Sequence, residues 1–172
     1  MFFPWSNAGA RAEARAEDCR SGIGLVRAAV LGLGVIVLAG CSSGPPEIQT
    51  ETVDFEVGAR ANDDNALAVD LVLVFDTVLA SQLSELTAAT WFKTRDQVQL
   101  ANPTGIEVRS FEVIPGQPGT HVEISGRSSD AVGAFLFADY ASPGPHRARI
   151  DGMPAVLLRL GGKDFAVVAP SS

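Results

Sequence analysis

Ile106-Glu107-Val108-Arg109-Ser110-Phe111-Glu112-Val113 alternates apolar and polar residues, and Pro115-Gly116 closes it with turn chemistry. Side chains of an extended strand point to opposite faces in turn, so such a stretch buries one face and wets the other. The same punctuation recurs on both sides of it. Upstream, Val53-Asp54-Phe55-Glu56-Val57 alternates with one apolar face. Leu67 to Phe75 is an apolar, β-branched run holding Asp70, which reads as a strand buried on both faces or nearly so. Downstream, Thr120-His121-Val122-Glu123-Ile124 alternates before Ser125-Gly126, and Gly133 to Tyr140 is a hydrophobic strand stopped by Ser142-Pro143-Gly144-Pro145. Arg147 to Ile150, Ala155 to Leu160 and Lys163 to Val168 complete the series, and Gly161-Gly162 predicts a two-residue hairpin between the last two.

One interruption is helical. Leu79, Leu83 and Leu86 repeat at i, i+4 and i+7, with Thr77 placed to cap the amino end and Trp91-Phe92 to plug the helix against a sheet. The expected fold is therefore mostly β: a β-sandwich of about eight short strands with one inserted helix.

The amino-terminal part reads differently. Ile23 to Gly40 is almost wholly apolar, with Arg27 its only charge, and small residues end it, which is the secretory pattern. Gly32 and Gly34 follow no strand and lie inside this apolar core, so they are not a nucleotide fingerprint. Glu13, Glu17 and Asp18 sit where a signal is normally basic, which a translation start near Leu25 or Val26 would account for. Leu38-Ala39-Gly40-Cys41 resembles the lipobox of bacterial lipoproteins. That resemblance implies a signal peptide over 1–40, cleavage specified by Leu38, Ala39 and Gly40, and lipidation of Cys41 with attachment to a membrane through its acyl chains. Residues 41–51, with Pro45-Pro46, then read as a lipidated terminus and flexible tether, and 52–170 as the folded domain.

Charge and composition exclude several classes. Without residues 1–40 the chain keeps nine basic and seventeen acidic residues, a net −8 with only two lysines. Such a body is a poor partner for nucleic acid or for anionic lipid. Cys19 lies in the removed segment, so Cys41 is the sole remaining cysteine and no internal disulfide can form. No Gly-x-Ser-x-Gly elbow is present. His121 falls on the solvent side of its strand and His146 in a turn, both as surface or loop residues and neither spaced for zinc. Asn62-Asp63-Asp64-Asn65 fails as a calcium loop, because Ala68 and Val74 occupy the places of the required glycine and glutamate. The chain reads as a non-enzyme with no catalytic residues, no metal and no cofactor.

The order of these elements is similar to that of the outer-membrane lipoprotein of type VI secretion systems, the TssJ family. The features that carry the likeness are the lipobox, the polar Arg60–Ala66 loop and the strongly apolar strand after it. The helix ending near Trp91-Phe92, the Glu112-Val113-Ile114-Pro115-Gly116 step and the apolar Ala131–Tyr140 strand followed by His146-Arg147 add to it. Phe75-Asp76, and a histidine where the family commonly has tryptophan before arginine, depart from the pattern and leave open a distant relative. The resemblance implies a transthyretin-like sandwich tethered to the inner leaflet of the outer membrane and facing the periplasm, a location that Ser42 also favours. It further implies that loop Gly58–Ala66, through Arg60, Asn62, Asp63, Asp64 and Asn65, binds the periplasmic domain of an inner-membrane secretion subunit. The alternative is a ligand-binding or envelope-maintenance lipoprotein. That reading calls for a deep apolar pocket lined by aromatics, which a 7% aromatic content does not encourage.

Overall fold

The computed structural model describes residues 48–169. The predicted alternation resolves into strands β1 (Thr52–Val57), β2 (Leu67–Val74), β3 (Ile106–Val113) and β4 (His121–Glu123), then β5 (Gly133–Ala138), β6 (Arg147–Arg149), β7 (Ala155–Leu160) and β8 (Phe165–Val168). They form two four-stranded sheets, β4-β1-β7-β8 and β3-β2-β5-β6, packed face to face. All neighbours run antiparallel except β1 and β7, which are parallel from Thr52↔Ala155 to Val57↔Leu160. Arg109 on edge strand β3 donates to Glu123 O at 2.9 Å and Ser125 O at 3.1 Å, tying the edges of the two sheets together.

Strand β2 is buried on both faces, as its composition predicts. Leu67, Val69, Leu71 and Leu73 fill the space between the sheets, while Val72 and Val74 lie in a second apolar cluster with Trp91, Phe135 and Phe137. Helices cover that outer face, and there are two of them. Helix α1 (Thr77–Glu85) is capped by Asp76 and not by Thr77, since Asp76 Oδ1 accepts the Leu79 N–H at 2.7 Å. Thr87 then caps a second helix, α2 (Ala88–Ala101), by accepting the Thr90 N–H at 3.2 Å. Only Ala88 and Trp91 of α2 are buried, so its apolar residues draw no stripe that would reveal it as a helix.

Two further expectations change. Leu160 pairs with Phe165, so the β7–β8 connection is the four-residue turn 161–164 rather than Gly161-Gly162 alone. Residues 48–51 are not free tether. Gln49 N–H donates to Asp151 O and Glu51 N–H to Pro154 O, each at 2.8 Å, and Thr50 is buried. The chain is fastened to the domain before β1 begins.

Candidate functional site

Strand β1 ends at Val57 and the chain turns away at Gly58, whose N–H donates to Leu160 O at 2.9 Å. A side-chain carbon there would meet that carbonyl at 2.8 Å, so the close approach requires glycine. Asn62, Asp63 and Asp64 then adopt φ of +48°, +50° and +68°, three successive left-handed residues. That region costs an L-residue about 1–2 kcal/mol, and asparagine and aspartate tolerate it best.

Hydrogen bonds offset the strain. Asn62 N–H donates to Gly161 O at 3.1 Å and Asp63 N–H to Gly162 O at 3.0 Å, so the loop leans on the β7–β8 turn through main-chain bonds. The Asn62 side chain is buried, donating to Ala66 O and accepting from the Ala141 N–H, both at 3.0 Å. Asn65 Nδ2 donates to Asp63 O at 3.0 Å. Of the five polar residues expected to face a partner, Asn62 is therefore a structural pin. Arg60, Asp63, Asp64 and Asn65 are exposed, with Arg60 and Asp64 in a surface ion pair at 3.3 Å. Because β1 runs from Thr52 to Val57, this loop sits at the end of the sandwich opposite the amino-terminal entry, one strand length of about 20 Å away.

A buried polar group backs the loop, and the sequence reading missed it. His146 does follow Pro-Gly-Pro in a turn, at φ +40°, but it is buried rather than on the surface. Its Nδ1 lies 3.0 Å from Asp164 Oδ1 and its Nε2 2.8 Å from Ser142 O, while the ring packs 4.9 Å from Tyr140. Tyr140 donates its hydroxyl to Asp164 O at 3.1 Å, and Ser142 donates to Lys163 O. Burial, then the charge of Asp164, pushes the Tyr140 phenol up to about 12. Polarity alone gave no signal here, because a histidine after Pro-Gly-Pro reads as exposed until the Gly161–Asp164 turn closes over it.

Other candidates resolve simply. His121 is exposed, as expected, and pairs with Asp54 across β1 and β4 at 2.6 Å. Trp91 and Asp70 are core residues. Among the described residues no group of three histidine, cysteine or carboxylate side chains is placed to hold a metal ion. An open depression of about 660 Å³ is lined by Ile48, Gln49, Thr50, Ile124, Ser128 and Pro154 among others, with no aromatic side chain. Leu38, Ala39, Gly40 and Cys41 lie outside the described residues.

Comparison with solved structures now bears on the arrangement. The type VI secretion lipoprotein TssJ1 of Pseudomonas aeruginosa superposes with a TM-score of 0.53 at 14% identity, over 70% of this chain and 95% of that one. The chain shares its fold with TssJ1. Serratia marcescens Lip, a membrane-bound component of the type VI secretion system, gives a TM-score of 0.50 at 11% identity, over 68% of this chain and 95% of Lip. The sequence itself matches no protein-family model and no curated protein. The likeness to TssJ1 and Lip thus lives in the sandwich, not in a shared run of residues.

Proposed function

We propose that this chain is an outer-membrane lipoprotein, anchored by acyl chains on Cys41 after loss of residues 1–40, that serves as a non-catalytic structural anchor of a type VI secretion complex. Its periplasmic sandwich binds the periplasmic part of an inner-membrane subunit through loop 58–66. The observation that carries this reading is that the sandwich accounts for 95% of both TssJ1 and Lip, with little of either left over. The lipobox and the position of the loop at the far end of β1 support it: a rigid scaffold presents exposed polar residues away from the membrane. The contact residues are Arg60, Asp63, Asp64 and Asn65, with Asn62 shaping the loop from within. Two carboxylates and one arginine make the association sensitive to ionic strength.

The test is capture from solubilised envelopes with the purified lipidated chain as bait. Recovery of a large inner-membrane protein with a periplasmic domain is expected, and Asp63→Asn with Asp64→Asn, which removes both charges at positions where asparagine tolerates the left-handed backbone, abolishes it while leaving the melting temperature nearly unchanged. Capture that survives replacement of the whole loop overturns the site. Cys41→Ser tests the anchor, and the reading requires loss of metabolic palmitate labelling and retention of residues 1–40.

A further inference from the structure

All four non-glycine residues with positive φ in the described chain, Asn62, Asp63, Asp64 and His146, gather at one end of the sandwich. Three segments meet there: the partner loop 58–66, the 139–146 loop and the β7–β8 turn 161–164. Their contacts form a chain of dependence. The left-handed turn of the partner loop rests on two carbonyls of the β7–β8 turn, Gly161 O and Gly162 O, and on the Ala141 N–H. The β7–β8 turn is in turn held from below by His146 at Asp164, by the Tyr140 hydroxyl and by the Ser142 hydroxyl. His146 also accounts for the 139–146 loop, since its Nε2 closes that loop onto Ser142 O.

The ring of His146 is buried, so it is no contact residue for a partner. Space around it is filled. A side-chain carbon at Gly144 would stand 2.6 Å from its Cε1, so the loop above is built to fit the imidazole. Strained backbone persists only where its surroundings over-determine it. Here the surroundings of Asn62 and Asp63 are the very carbonyls whose turn His146 fixes.

We infer that His146 is the positioning residue of the partner-binding loop: it sets the left-handed conformation of Asn62 and Asp63 through the Gly161–Asp164 turn, without touching the partner. The inference rests on the function proposed above, and it assigns that site a second layer of residues that determine its shape. It also makes loop 58–66 and turn 161–164 a single platform, so that Lys163 flanks the partner site.

The experiment pairs hydrogen exchange with partner capture, using the full lipidated chain in detergent. His146→Gly keeps the left-handed backbone free of strain and removes only the ring, and His146→Gln restores a polar side chain in case the glycine variant is too loose. The expected result is exchange in segment 58–66 at least about tenfold faster in the glycine variant, unchanged exchange in β2, and capture of the inner-membrane protein reduced by a similar factor. The glutamine variant falls between wild type and glycine on both readouts. Exchange in 58–66 within about twofold of wild type, with β2 intact, overturns the coupling. So does faster exchange with undiminished capture. If the wild-type chain captures no inner-membrane protein, the functional proposal falls, and the exchange comparison by itself decides whether His146 sets the loop.

Discussion

Trp91 Nε1 donates to Asp70 Oδ2 at 2.8 Å, and neither residue retains any exposed surface. A carboxylate at that depth is costly unless its oxygens are paired, and Arg95 supplies the second partner at 3.1 Å. The indole also stacks on Phe137 with centroids 5.0 Å apart. The polar bonds of Trp91 and Arg95 to one carboxylate thus lock α2 onto the sheet in a fixed register. Trp91→Phe keeps most of the packing and removes the donor, so we expect a loss of about 1–3 kcal/mol. Asp70→Ala strands the buried indole N–H and takes away the carboxylate that the half-buried Arg95 pairs with, and is expected to lose about 2–4 kcal/mol. Urea unfolding followed by circular dichroism reads both, and a reversed order would contradict the pairing.

Asparagine at position 62 is needed twice, for its backbone and for its side chain. Asn62→Ala leaves Ala66 O and the Ala141 N–H without their partner and forces alanine into the left-handed region, so a loss of about 2–4 kcal/mol is expected. Asn65→Ala removes only bonds near the surface and is expected to stay within about 0.5–1 kcal/mol of wild type. Equal effects in thermal or urea unfolding would show that Asn62 is no pin.

Two glycines make opposite forecasts. A side-chain carbon at Gly119 would lie 1.6 Å from Phe55 O, beside the bond from the Phe55 N–H to Thr120 O. Gly119→Ala therefore forces β4 away from β1, with an expected loss of about 3 kcal/mol. Gly152 has open space around it, and Gly152→Ala is expected to be neutral within about 0.5 kcal/mol.

Tyr140 is the only tyrosine, so its phenolate absorbance is a clean titration. We expect a midpoint of about 12 in the native chain and a return to the ordinary value near 10.0 in denaturant. The sign follows from linkage. A phenol raised by folding contributes stability below its unfolded value, and that contribution is lost as pH rises through 10.0 towards 12. Tyr140→Phe removes this part of the alkaline instability. A native midpoint at the ordinary value would mean the hydroxyl is not buried.

Much of the sandwich can be read directly from the chain. Ile106–Val113, read by alternation, and Ala155–Leu160, read as an apolar run, keep the same limits in the structure. Alternation in the first of these slips phase at Ser110, because Ile106 and Val108 face the helix-covered cluster while Phe111 and Val113 face the space between the sheets. The slip records two different coverings of one strand, which periodicity cannot distinguish before the helices are known. Helix α2 escaped notice because Leu100 faces solvent and only Trp91 and Ala88 are buried. The exposed part of the loop was legible as polarity. Its inner part was not, since Asn62 and His146 are buried by segments distant in sequence.

The orientation of β1 has a mechanical consequence. The chain enters this strand beside its fastening at Gln49 and Glu51 and leaves it at loop 58–66, so a pull between those ends acts along the strand axis. Inter-strand hydrogen bonds lie across that axis, and β1 has a neighbour on each side, with six registered pairs to β7 and three to β4. Sliding β1 out would break these bonds together in shear, whereas peeling a hairpin breaks them one after another. The domain thus resists a pull best along the line joining its amino-terminal end to its loop end.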